Sequence, residues 1–111
     1  MAGTLKIYKD KIIVNLKGEL DHHMATILKT QLKEAMDKHN IKKLLFNFKD
    51  VTFMDSSGIG MILGRYKELQ PIGGKIGVIN MNNRVKKIFD MSGLLSVITY
   101  IENEQEFIET F

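Results

Sequence analysis

The run Leu44-Leu45-Phe46-Asn47-Phe48 constrains this chain more than any other segment. Side chains of an extended backbone point alternately to its two sides, so consecutive apolar residues make a stable strand only where both faces are covered. A short, dense run of this kind therefore predicts a central strand inside a layered domain. Segments with a strand period and segments with a helix period alternate on either side of it. Leu5 to Tyr8 alternates apolar and polar, Asp10-Lys11 can turn tightly, and Ile12 to Leu16 is apolar and β-branched. These two short runs predict an antiparallel hairpin that ends at Gly18-Glu19-Leu20-Asp21.

Met24, Ile27, Leu28, Leu32, Ala35 and Met36 then recur at helical spacing, with Lys29, Lys33, Glu34 and Lys38 on the other side. They predict an amphipathic helix with Asp21 as N-cap and Asn40 as a polar stop. After the central strand, Ile59, Ile62, Leu63, Tyr66 and Leu69 form the apolar face of a second helix, which Pro71 helps to end. Gly73-Gly74 makes a turn into a strand over Lys75 to Asn80. A third helix carries Val85, Ile88 and Phe89, capped by Asn82 or Asn83 and closed by Gly93. A last strand over Ser96 to Ile101 precedes a final helix that starts at Asn103 with Glu106 three residues on and turns Phe107, Ile108 and Phe111 inward.

The order β-β-α-β-α-β-α-β-α predicts an α/β fold with a mixed, mostly parallel sheet of about five strands, an N-terminal hairpin and four helices. The loops after the second, third and fourth strands open on one sheet edge, where open α/β sheets place their chemistry. Glu19-Asp21-His22, Asp55-Ser56-Ser57 and Asn80-Asn82-Asn83 are thus expected to be neighbours in space.

With 111 residues, 44% of them apolar and 26% charged, a single domain over residues 1–111 with its own core is expected. No cysteine is present, so neither a disulfide nor a thiolate metal site can form. No apolar run approaches the length of a membrane span, and the first residues do not read as a signal peptide, so a cytoplasmic location is expected, with no membrane partner. The net charge of +3 comes from dispersed lysines with only Arg65 and Arg84 beside them. Without an RNA-recognition aromatic signature or zinc-finger spacing, this reads as solvated lysine faces, and no nucleic-acid partner is expected.

The functional focus is Asp55-Ser56-Ser57-Gly58-Ile59-Gly60, where the central strand hands over to the second helix. Two readings of its hydroxyls compete. One is N-capping, which stabilises a helix by about 1 kcal/mol. The other is phosphorylation of Ser56, which would place about −1.5 to −2 charges at a helix N-terminus. No general base stands beside Ser56 in sequence, which favours a switch over a catalyst. Gly58, Gly60 and Gly64 lower the helix's intrinsic stability, by roughly 0.5–1 kcal/mol for each interior glycine. They allow either close packing on the sheet or a bare surface for a partner.

Other motifs fail on spacing. His22-His23 are helix neighbours that cannot face one metal, and no metal or cofactor is expected. Gly73-Gly74-Lys75 lacks the rest of a phosphate loop, and Gly58-Ile59-Gly60 lacks the third glycine of a dinucleotide fingerprint. A hydrolase using Ser56 with His22 or His23 would need a histidine within about 3 Å of the hydroxyl and an orienting third group that the sequence does not supply.

Three blocks carry a family resemblance: Gly18-Glu19-Leu20-Asp21-His22-His23, Phe53-Met54-Asp55-Ser56-Ser57-Gly58-Ile59-Gly60, and Val85 to Leu94 with Phe89-Asp90-Met91-Ser92-Gly93-Leu94 at its end. In order and spacing they resemble the anti-anti-sigma factors of the STAS family. The His-His pair and the Phe-Asp-Met-Ser-Gly-Leu block favour its sporulation branch, which antagonises the anti-sigma F factor of endospore-forming bacteria, over the general-stress branch. The resemblance implies a single STAS domain with no enzymatic activity. Its unphosphorylated form would bind an ATP- or ADP-bound anti-sigma factor that is also a serine kinase, and so free the sporulation sigma factor. It also implies that the kinase phosphorylates Ser56, that a serine phosphatase resets it, and that Asp21, Asp55, Ser57, Gly58, Ile59 and Gly60 meet the partner. The alternative is a small nucleotide- or ligand-binding STAS domain that uses the same helix N-terminus.

Overall fold

The computed structural model describes residues 3–111. Its elements are β1 (Gly3–Tyr8), β2 (Lys11–Leu20), α1 (His22–His39), β3 (Lys43–Met54), α2 (Ser56–Leu69), β4 (Lys75–Ile79), α3 (Asn83–Ser92), β5 (Thr99–Tyr100) and α4 (Glu104–Thr110), with 3₁₀ turns at Gln70–Ile72 and Leu94–Ser96. The strands lie in chain order, β1-β2-β3-β4-β5. β1 pairs antiparallel with β2, and every other pair is parallel. This is the mixed, mostly parallel α/β arrangement with an N-terminal hairpin that the sequence predicts. None of the helices among the described residues is long and apolar enough to cross a membrane.

Strand order explains the layering. Each parallel connection steps one strand in the same direction, and right-handed crossovers then put α1, α2 and α3 on one face. Ile12, Val14 and Leu16 of β2, Leu44, Phe46 and Phe48 of β3 and Ile76 and Val78 of β4 line that face. Leu28 and Leu32, Ile62 and Leu69, and Val85 and Phe89 from the three helices close over them. Phe48 meets Phe89 edge-on at a centroid distance of 5.4 Å. The intervening positions, Ile13, Leu45 and Ile79, form a smaller cluster on the opposite face with Ile101 and Phe107. The last helix, α4, follows the last strand, so no crossover ties it to the first layer, and it covers the second face.

Two elements differ from the sequence reading. The central strand runs on to Met54 instead of ending near Phe48. From Asn15↔Asn47 to Lys17↔Asp50, and again from Gly18↔Val51 to Glu19↔Phe53, β3 carries one residue more than β2. These bulges break the two-residue period, so that Phe48, Val51 and Met54, three apart, are all buried in the main core. Gly18 lies in the same irregular stretch of β2 with φ +81°, a conformation open to glycine at little cost. The last strand, by contrast, shrinks to Thr99–Tyr100. Residues 94–96 form a 3₁₀ turn instead, held by Ser96 N–H donating to Gly93 O at 3.0 Å and Ile98 N–H donating to Leu94 O at 2.9 Å.

A row of lysines fastens α4 to the sheet. Lys11, Lys43 and Lys75 are register partners across three adjacent strands. Lys11 Nζ donates to the carbonyls of Phe107 and Ile108 at 3.0 and 2.6 Å, Lys43 Nζ donates to that of Phe111, and Lys75 Nζ lies 5.8 Å from the centroid of the Phe111 ring. The final carbonyls of a helix have no partners within it and carry partial negative charge, so cations are favoured there. Replacement of Lys11 by Met is expected to lower unfolding free energy by about 1–2 kcal/mol, measured by urea titration, with faster amide exchange in α4 than in α1. Phe48→Ala, which empties a buried site in the main core, should cost about 3–5 kcal/mol in the same measurement.

Candidate functional site

The parallel pairing of β2 with β3 brings their C-terminal ends level, Leu20 beside Met54. Both strands then enter a helix through an aspartate. Asp21 caps α1, its Oδ1 accepting from Met24 N–H at 3.0 Å, and Asp55 caps α2, its Oδ1 accepting from Ser57 N–H at 2.8 Å. Asp55 N–H donates to Leu20 O at 3.3 Å and ties the two junctions together. β4 repeats the pattern with an amide: Asn82 Oδ1 accepts from Val85 N–H at 2.8 Å to cap α3, while its Nδ2 donates to Val51 O at 3.0 Å. Three helix N-termini therefore open on the edge expected from the topology, and Asn82 rather than Asn83 is the cap of the third.

Ser56 is the first residue of α2 and is exposed. Capping does not use either serine hydroxyl, because the Asp55 carboxylate accepts the N–H bond that a serine cap would have taken. The backbone of Asp55 is extended, at φ −108° and ψ −171°, the geometry that lets a side chain fold back over the first turn. Ser56 is thus free for other chemistry at a site that the helix dipole makes favourable for negative charge. Asp21 and Asp55 are both partly buried, and their carboxylates work against that preference.

The glycines divide. A Cβ on Gly58 would lie 2.6 Å from Met54 Cγ and 3.0 Å from Leu20 Cγ, so this glycine seats the helix start on the two strand ends. It is buried and offers little surface of its own. Gly60 and Gly64 are different: a Cβ at either would meet nothing within 4 Å. They leave bare backbone on the side of α2 that faces the groove beside α1. Ile59 sits between, partly buried against the core. Ser57 and Gly60 line a groove between α1 and α2, whereas His23 lines a separate depression beside Lys17, Gly18, Glu19 and Asp21. His22 and His23 are both exposed at the start of α1. No group of three His, Cys, Asp or Glu side chains suited to a metal occurs among the described residues.

One buried charged residue was missed in the sequence. Arg65 is 4% exposed and is held by Glu68, whose Oε1 accepts from Arg65 Nε at 2.7 Å and also pairs with Nη2. Its spacing carried the signal, since Met61, Arg65 and Leu69 repeat every fourth residue and the outer two are buried.

The family model described as the STAS domain matches residues 4–107. The anti-sigma F factor antagonist of Paenibacillus polymyxa is 39% identical over 97 residues, which span 87% of this chain and 83% of that protein. The solved structure of the anti-sigma factor antagonist SpoIIAA in its unphosphorylated form superposes with a TM-score of 0.86 at 32% identity, covering 96% of this chain and 92% of that one. The phosphorylated form of the Bacillus cell fate determinant SpoIIAA gives a TM-score of 0.77 at 31% identity, with 96% of each chain covered. With a family match over nearly its whole length and this level of identity, the chain belongs to the STAS-domain family of anti-sigma factor antagonists, non-enzymatic regulators known in phosphorylated and unphosphorylated forms.

Proposed function

We propose that this chain binds an anti-sigma factor through the surface around the start of α2, and that phosphorylation of Ser56 ends the contact. The observation that carries this reading is the exposure of Ser56 beside a cap supplied by Asp55. A kinase can reach the hydroxyl, and modifying it removes no hydrogen bond on which the helix start depends. The partner is an ATP- or ADP-bound anti-sigma factor that also acts as the serine kinase. Its capture by the unmodified chain releases the sporulation sigma factor, and a serine phosphatase resets phosphorylated Ser56. Asp21, Asp55, Ser57, Ile59 and Gly60 form the contact surface, and Gly58 sets the height of α2 above the strand ends.

Electrostatics supports the direction of the switch. Docking over phosphorylated Ser56 would desolvate a dianion near the Asp21 and Asp55 carboxylates. An unpaired buried charge costs about 3–4 kcal/mol, which corresponds to a loss of roughly two to three orders of magnitude in affinity. The same carboxylates weigh against direct nucleotide binding at this helix N-terminus, because a phosphate chain there would meet two acids instead of a cationic cradle.

Calorimetric titration against the anti-sigma factor of the source organism, loaded with ADP, tests the reading. Ser56→Ala should bind as the unmodified chain does and accept no phosphate, whereas Ser56→Asp should bind at least tenfold more weakly. Mass spectrometry after incubation with the kinase and ATP should place the phosphate on Ser56. Finding it on Ser57 would reject that assignment, and micromolar binding of ATP or GTP by the isolated chain would favour the nucleotide-binding alternative.

A further inference from the structure

The groove between α1 and α2 is lined by His22, Lys29, Ser57, Gly60, Gly64 and Arg65 and has a volume of about 270 Å³. None of the residues lining it is an Asp or Glu. Its floor is bare at Gly60 and Gly64, where added side chains would enter open space. Its wall holds Arg65, whose Nη1 is buried and has no hydrogen-bond partner among the described residues, while Nε and Nη2 share a single oxygen of Glu68. The flat fork of donors on a guanidinium matches a carboxylate. Buried donors are nearly always paired in folded proteins, and rotation of the Arg65 side chain toward the groove that it lines would give this one an acceptor from outside the chain. Lys29, exposed on the groove's other side, adds a second cation.

We propose that this groove receives an acidic side chain of the anti-sigma factor, with Arg65 and Lys29 as its counter-ions and with Gly60 and Gly64 letting the partner's backbone approach. This rests on the function proposed above and extends it, because it adds an attractive contact next to the acidic surface at Ser56. The groove includes Ser57 at the start of α2 and carries charge opposite to that of the acids there, so together the two regions fix how the partner sits. Arg65 would hold its acceptor by a charge-assisted hydrogen bond, and Lys29 would contribute mainly through field strength that salt can screen.

Two variants of the chain test this, titrated against the ADP-loaded anti-sigma factor. Gly64→Leu fills the groove while removing a helix-interior glycine, so the expected result is a raised melting temperature with binding weakened at least tenfold. Lys29→Glu, an exposed change, should also weaken binding at least tenfold, and reversing one acidic residue of the partner to lysine should restore it. Binding of both variants within twofold of the unsubstituted chain would overturn the inference and leave the proposed function standing. Failure to recover Lys29→Glu by reversal at any surface acid of the partner would likewise overturn it. A concentration-dependent self-association abolished by Gly64→Leu, with partner affinity unchanged, would assign the groove to a second copy and also overturn it. Absence of binding by the unsubstituted chain would instead defeat both readings.

Discussion

The parallel registration of β2 against β3 at their C-terminal ends is the constraint on which the site depends. Leu20 and Met54 end level, and the bond from Asp55 N–H to Leu20 O locks the two exits together. Each exit turns into a helix by the same device, an aspartate in an extended conformation that accepts a backbone N–H of the first turn. A side effect of stabilising both helix starts in this way is a carboxylate directly before the exposed serine and a second one at the neighbouring helix start. Gly58 completes the constraint, because any side chain there would strike Met54 and Leu20 and lift α2 from the strands. The local chemistry of folding and the proposed chemistry of switching therefore use the same atoms.

Much of this was legible in the sequence, and the gaps have identifiable causes. The dense run at Leu44–Phe48 and the helical stripes at Met24–Met36 and Ile59–Leu69 are strong signals because their periods are regular over several turns or strand pairs. Asp21, Asn40, Asn103 and Gly93 were recognisable as caps for the same reason that caps work at all, namely side-chain or left-handed backbone geometry at a fixed offset. The far half of β3 was not legible, since two bulges convert its buried positions to a spacing of three that matches neither a flat strand nor a helix. The shortness of β5 was hidden too, because Leu94, Ile98 and Ile101 are apolar whether or not their backbone is paired.

Long-range pairing is the second kind of gap. Lys11 bonds to Phe107, 96 residues away, and nothing near Lys11 in sequence distinguishes it from a solvated lysine. At the site, Asp55 displaced the serines as the cap, a competition that propensity alone leaves open because aspartate and serine both serve well. Arg65 was concealed by its type: charged residues are usually assigned to solvent, and only its place between Met61 and Leu69 betrayed its burial. In both cases the electrostatics around the helix mouth stayed incomplete from sequence, with its acids foreseen and the basic groove beside it unforeseen.

A switch built this way needs no second fold. In the proposed switch, charge would be added at an exposed point on a helix start whose cap is untouched, and the change would be read at the interface rather than in the core. The decisive measurement is a comparison of backbone amide spectra and unfolding free energies for the free chain with and without phosphate on Ser56. The account predicts shifts confined to the start of α2 and the neighbouring starts of α1 and α3, with stability changed by no more than about 2 kcal/mol, as expected for a dianion near an exposed helix N-terminus. Shifts spread across the sheet, or a large loss of stability on phosphorylation, would contradict it, because the modification would then be acting by remodelling the domain.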